Sequence, residues 1–197
     1  MKKRIILATA NLDKVREFRQ ILPESYEIIT MQEAGFCDTI EENGSSFIEN
    51  ALTKARAVHS RIGGMVLADD SGLSVDVLDG APGLYSARFA GESADYPTKI
   101  THLHEWLKPW PPSQWHASFI CAIALVMPDG SERTVTGECR GVIAAEPRGD
   151  NGFGYDPIFL LPDGSCTMAE LSDDEKNKIS HRGLALRQMA AILAGYA

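Results

Sequence analysis

The chain has 197 residues, of which 44% are hydrophobic and 23% charged, and it carries a formal net charge of −8. This composition excludes wholesale disorder, and the length suits one substantial core rather than two large independent domains. The acidic balance argues against a binder of nucleic-acid polymers, which relies on clustered Lys and Arg, but leaves room for a nucleotide in a local basic pocket.

Cys37, Cys121, Cys139 and Cys166 form no C-x-x-C pair, and Met1-Lys2-Lys3-Arg4 leads into an apolar run too short for a signal peptide. No segment has the uninterrupted apolar length needed to cross a bilayer. The expectation is a cytoplasmic protein with free thiols and a single domain over residues 1–197.

Residues 5–8, Ile-Ile-Leu-Ala, read as a first buried strand, followed by a loop at Thr9-Ala10-Asn11. Val15, Phe18, Ile21 and Leu22 then recur at helical spacing over residues 14–22, stopped by Pro23. A strand, a polar loop and a helix start in that order can hold a phosphate, because free N–H groups and the positive end of the helix dipole face the loop. Asn11 serves equally well as a simple N-cap. A second strand is expected over residues 27–30 and an acidic loop over residues 38–44. Ser46 with Glu49 makes a capping box for a helix running to about Arg61, with Phe47, Ile48, Ala51, Leu52, Ala55 and Val58 on one face. Asn50 and Lys54, four residues apart, share a margin of that face.

Residues 65–68, Met-Val-Leu-Ala, read as a buried strand ending in Asp69-Asp70-Ser71-Gly72. Side chains alternate along a strand, so only one of the two acids can face a given cleft. A carboxylate there suits a hard cation or the activation of a water; Asp, Ser and Gly are also ordinary turn residues. Residues 73–78 read as a partner strand, with a turn-rich loop at 79–83. A helix is expected over residues 98–107, where the i,i+2 spacing of His102 and His104 argues against a metal pair. Strands over 116–127 and 133–143 flank a hairpin turn at 128–131. The glycine- and aromatic-rich residues 149–157 precede a strand over 158–161; Phe153 and Tyr155 there suit either base stacking or core plugging. Ser172 and Glu175 make a second capping box, and Ser180 is a candidate N-cap for a terminal helix. His181 and Arg182 in its first turn oppose the helix dipole, a local conflict that points to function.

Six blocks in this order resemble the inosine triphosphate pyrophosphatase family, also called Ham1-like: Ala8-Thr9-Ala10-Asn11-Leu12-Asp13-Lys14; Glu42-Asn43-Gly44 with Phe47-Ile48-Glu49-Asn50-Ala51 and Lys54-Ala55; Ala68-Asp69-Asp70-Ser71-Gly72-Leu73; Gly80-Ala81-Pro82-Gly83 with Tyr85-Ser86-Ala87-Arg88; Gly152-Phe153-Gly154-Tyr155-Asp156-Pro157; and Ser180-His181-Arg182-Gly183. The resemblance implies an elongated α/β fold, with a long twisted mixed sheet, two lobes and a cleft between them, usually as a homodimer. It implies Mg²⁺-dependent hydrolysis of ITP, dITP and XTP to the monophosphate and pyrophosphate, which removes them from the nucleotide pool. On the matching positions it implies that Thr9, Asn11 and Lys14, with Lys54, hold the triphosphate, and that Glu42 and Asp70 bind the metal. Asp70 would also be the proton acceptor and Ser71 a substrate contact. Phe153, Gly154, Tyr155 and Asp156 would line the nucleoside pocket, while Lys176, His181 and Arg182 address the base.

Two departures stand out, since the family often has glycine where this chain has Ala10 and Asp13. An alanine restricts positive φ, and an acid beside a triphosphate loop adds repulsion unless it faces away. The Maf-type pyrophosphatases share the Ser/Thr-x-Asn opening, but the Ser180-His181-Arg182 block argues against them. A non-catalytic nucleotide sensor would be expected to lack the metal carboxylates.

Overall fold

The computed structural model describes residues 2–196. Among these residues the chain forms β1 (Lys3–Leu7), α1 (Leu12–Ile21), β2 (Tyr26–Thr30), α2 (Phe47–Ile62), β3 (Met65–Val75), α3 (Tyr96–Leu107), β4 (His116–Val126), β5 (Glu132–Ile143), β6 (Phe159–Leu160), α4 (Asp173–Ile179) and α5 (His181–Ala194). The strands make one mixed sheet in the order β2-β1-β3-β4-β5-β6. β1 is parallel to both neighbours, with Leu7 opposite Thr30 and Leu67, while β6 runs antiparallel to β5. The expected mixed α/β architecture is the one that forms.

The chain divides into two compact units. The first takes the described residues up to Asp70, Cys121–Gly137 and the described residues from Arg182 onward; the second takes Ser71–Ile120 and Glu138–His181. In the first unit the sheet is apolar on both faces, as parallel strands with helical crossovers require. Ile5, Leu7, Met65, Leu67, Ile123 and Leu125 pack with Val15 and Phe18 of α1 and Leu186, Met189 and Leu193 of α5. The alternate residues Ile6, Ala8, Val66, Ala68, Ala124 and Val126 pack with Ala51, Ala55 and Val58 of α2. Each of the two faces therefore has its own helices. The second unit has a separate core, in which Ile100, Leu103 and Leu107 of α3 join Leu73, Phe119, Ile143, Ile158 and Phe159.

Helix ends follow local chemistry. The Asn11 carboxamide oxygen accepts from the N–H groups of Asp13 and Lys14, and Pro23 follows the last turn of α1. Ser172 and Glu175 close a reciprocal capping box on α4. At α2 the box is incomplete: Ser46 accepts from the Glu49 N–H, but the Glu49 carboxylate turns to the N–H and hydroxyl of Ser45.

Two strand expectations are corrected. Residues 73–78 do not form a partner strand: β3 passes straight through Asp69-Asp70-Ser71-Gly72 to Val75, and only then does a 3₁₀ turn, Asp76–Leu78, begin. Gly72 takes no positive φ, so the turn-forming residues stay extended and the acids lie within a strand rather than at its end. The strand expected over 158–161 shrinks to Phe159–Leu160 because Pro157 favours a 3₁₀ turn over Asp156–Ile158.

Phe18 is fully enclosed between sheet and helices. Phe18→Ala is expected to lower the unfolding free energy by about 3–5 kcal/mol, against about 1 kcal/mol for the cap deletion Ser172→Ala; urea denaturation of the two variants measures the difference.

Candidate active site

The alternation of β3 carries the facial division of the first unit into its polar end. Asp69 continues the row of Met65 and Leu67 and so faces α1 and α5; Asp70 continues the row of Val66 and Ala68 and so faces α2. Two adjacent acids thereby enter two different environments.

Asp69 is fully buried, and its Oδ2 accepts from Lys14 Nζ at 3.0 Å and from Arg182 Nε and Nη2 at 3.2 and 3.1 Å. The remaining Arg182 nitrogen, Nη1, donates to the buried Glu17 at 2.6 Å. Burial pushes the Asp69 carboxyl up, but Lys14, Arg182 and Lys54 outweigh it and hold it well below the usual carboxylate range. The same packing pushes the neighbouring Cys121 thiol up to about 12, first through burial and then through the Asp69 charge. That thiol stays protonated.

Asp70 behaves in the opposite way. Its Oδ1 lies 3.4 Å from Lys54 Nζ, which also donates to Glu42 Oε2 at 2.7 Å, and its Oδ2 accepts from Asn50 Nδ2 at 3.0 Å. Burial raises the Asp70 carboxyl and Glu42 adds repulsion, and together these exceed the lowering from Lys54, Lys14 and Asn50. Burial lowers Lys54, but Asp70, Asp69 and Glu42 more than restore it, so its ammonium is held in the charged form. Asn50 and Lys54, expected at a helix margin, are both buried, and they reach one carboxylate because they are one turn apart on α2.

Glu42 and Asp70 thus converge on a single ammonium. A hard divalent cation fits this donor set: both donors are carboxylate oxygens, and burial plus their mutual repulsion makes added positive charge favourable there. Among the described residues no three His, Cys, Asp or Glu side chains form a complete cage. Mg²⁺ does not need one, since it is held through one or two carboxylates while keeping several waters.

Near the start of α1, Thr9 Oγ1 accepts from the Asn11 N–H, and the Asn11 side chain caps the helix. Both therefore shape the loop expected to hold phosphate. Neither departure there distorts it: Ala10 takes no positive φ, and Asp13 pairs with Arg16 at 3.1 Å.

In the second unit, Lys176 and Asp156 are buried together, with Nζ 2.7 Å from Asp156 Oδ2. That oxygen also accepts from the Phe153 N–H at 2.8 Å, and the ammonium lies 4.8 Å from the Phe153 ring centroid. Gly152 has φ +72°, and a Cβ there would come 2.1 Å from Asp156 Oδ2. Tyr155 is buried, donates to the Ser86 carbonyl and meets Tyr96 edge-on, so it plugs the core, while the half-buried Phe153 is left in the loop. His181 stacks on Phe119 at 4.7 Å, and Phe119 stacks on Phe159 at 4.2 Å. A Cβ at Gly141 would press within 2.6 Å of Phe159, so the strand behind the stack must be bare.

The structure therefore joins Glu42, Lys54 and Asp70 in one group, Lys14 and Arg182 with Asp69 in a second, and Phe153, Asp156 and Lys176 in a third. Ser71 follows Asp70 on β3, half-buried, and Gly154 lies against the Tyr96 ring. Arg182, expected to address the base, spends its guanidinium on Asp69 and Glu17. An acid beside Phe18 reads as an ordinary helix-surface charge, and nothing local in the sequence marks Glu17 as a partner of the buried Arg182. His102 meets Phe89 edge-on, and His104 contacts the Ala144 carbonyl.

The Ham1 family model matches residues 5–192. The chain belongs to the Ham1 family. It is 50% identical over 192 residues to the dITP/XTP pyrophosphatase of Bacillus subtilis, covering 97% of each chain. The solved Ham1 proteins of Coxiella burnetii and Staphylococcus aureus superpose with TM-scores of 0.89 and 0.88 at 42% and 40% identity, each covering 99% of this chain and 100% of theirs. The resemblance read from the six sequence blocks is borne out as to family and fold. No helix among the described residues is long and apolar enough to cross a membrane.

Asp69 depends on the two cations that close on it in this Ham1 chain. Because its native carboxyl is depressed, its stabilisation is present above the ordinary value of 3.8 and is lost as pH falls toward the native value. Asp69→Asn is expected to cost about 3–5 kcal/mol at neutral pH and to flatten the acid limb of a stability–pH curve from urea melts.

Proposed function

We propose that the chain hydrolyses non-standard purine nucleoside triphosphates, ITP, dITP and XTP, to the monophosphate and pyrophosphate with Mg²⁺. The observation that carries this reading is the convergence of Glu42 and Asp70 on the Lys54 ammonium, in a chain half identical to a dITP/XTP pyrophosphatase. In this reading residues 1–197 work as a single domain, as a cytoplasmic homodimer, on the strength of the family resemblance.

Glu42 and Asp70 would hold the cation, which when bound supplies charge neutralisation to the phosphate oxygens. Asp70 is the proton acceptor. A carboxyl raised by burial is a better base than a solvated one, and Asn50 and Lys54 fix its two oxygens so that a water can be oriented against it. Lys14 and Lys54 neutralise charge developing on the leaving pyrophosphate, with Thr9 and Asn11 shaping the loop at the positive end of α1 and Ser71 contacting substrate. Both lysines hold carboxylates in the structure, so polyphosphate competes with Asp69 and Glu42 for them.

The Phe153 ring, with Gly154, Tyr155 and Asp156 around it, takes the purine face. Lys176 and His181 offer donors to the 6-oxygen of hypoxanthine or xanthine; adenine presents an amino donor there and leaves them unsatisfied. Arg182 joins them only at the expense of Glu17 or Asp69, so its first task in this reading is to keep Asp69 ionised.

Pyrophosphate release from ITP, dATP and dGTP with Mg²⁺ tests the assignment. Rapid turnover of ITP alone is expected, and equal rates on all three would defeat the specificity. Asp70→Asn should reduce kcat by about 10²–10⁴-fold with the circular dichroism of the parent; near-parental turnover would remove Asp70 from its role. Chelation by EDTA should stop turnover and Mg²⁺ restore it.

A further inference from the structure

Asn50 is buried on the first half of α2, and both ends of its carboxamide are engaged. The Gly44 N–H, which can only donate, meets Oδ1 at 2.8 Å, and this turns Nδ2 toward Asp70 Oδ2 at 3.0 Å. Gly44 lies two residues after Glu42, so a single side chain ties the loop carrying one carboxylate to the other carboxylate on β3. The fit is close: a Cβ at Gly44 would stand 2.7 Å from Asn50 Oδ1 and 2.8 Å from Glu49 Cβ. Backbone freedom is not what Gly44 supplies, since its φ is not positive. What the position requires is room for the carboxamide.

We propose that Asn50 is a positioning residue of the cation site, a clamp whose carboxamide sets the Asp70 carboxylate and the Glu42 loop at a fixed separation. This rests on the reading of Glu42 and Asp70 as the cation's ligands. Lys54 also bridges the two acids, but an ammonium donates in any direction and its contact with Asp70 is the longer, at 3.4 Å. A planar amide with one donor end and one acceptor end fixes orientation as well as distance. The division of labour on α2 follows: Lys54 balances charge and Asn50 sets geometry. A substrate phosphate that draws Lys54 away from Glu42 leaves the Asn50 clamp in place, because neither of its bonds involves Lys54.

The test uses two substitutions that disturb the same amide from opposite sides. Asn50→Leu keeps the branched four-atom outline of the side chain and removes both bonds; Gly44→Ala leaves Asn50 present but pushes its oxygen and the Glu49 Cβ aside. Mn²⁺ binding to the free protein, followed by the loss of the free-ion electron paramagnetic resonance signal, should weaken about 10–100-fold in both variants. kcat for ITP should fall while KM for ITP stays near the parent value, and the weakened Mn²⁺ binding should persist at temperatures well below each variant's own melting temperature. Mn²⁺ binding at parental strength in Asn50→Leu overturns the proposal, as does a loss of binding that only tracks a loss of thermal stability. If Asn50→Leu does not fold, Gly44→Ala decides by the same Mn²⁺ criterion. A parent protein that releases no pyrophosphate from ITP overturns the functional reading and this inference with it; a competent parent with an indifferent Asn50→Leu overturns this inference alone.

Discussion

The two-residue period of β3 is the constraint on which the first unit's chemistry depends. Because the strand does not break at Asp69 and Asp70, the apolar division between its faces passes directly into a division between charges. One acid joins the side packed by α1 and α5, where Lys14 and Arg182 wait; the other joins the side packed by α2, where Asn50 and Lys54 wait. A one-residue shift of register would exchange the two environments and leave neither acid with its partners.

The two settings do opposite things to the same functional group. An unpaired buried carboxylate costs several kcal/mol, and Asp69 tolerates full burial only because two cations from two helices close on one of its oxygens. The result is a structural charge that stays ionised at neutral pH. Asp70 has less compensation for its burial and a second acid nearby, which leaves it proton-hungry beside a lysine that stays charged. Environments that push two neighbouring carboxyl groups apart in acidity separate a scaffold charge from a group able to exchange a proton.

Much of this was legible in the residues. The alternation rule placed the acids on opposite faces, the helical spacing of Asn50 and Lys54 put them on one side of α2, and the Ser172–Glu175 box appears as written. The misses share a physical cause. Asp-Asp-Ser-Gly favours turns in isolation, yet pairing within a continuous sheet held these residues extended, a tertiary override of local preference. The conflict of Arg182 with the helix dipole called for a ligand or an acid to offset it, and two buried acids distant in sequence do so. Such long-range pairing leaves no local trace. Tyr155 and Phe153, two residues apart, offered the same choice between plug and platform; the contacts of the Tyr155 hydroxyl and ring decide it for Tyr155.

The three-ring stack of Phe159, Phe119 and His181 has a bearing on how the sequence can drift. Its outer member rests on a strand position, Gly141, where even one methyl group would collide with the ring. Rings in face contact shift together, so a methyl at this plain-looking glycine would be felt two rings away as a tilt of the imidazole plane. A variant could thus lose the setting of His181 without any change in the Ser180-His181-Arg182 block itself, and inspection of those three residues alone would miss the cause.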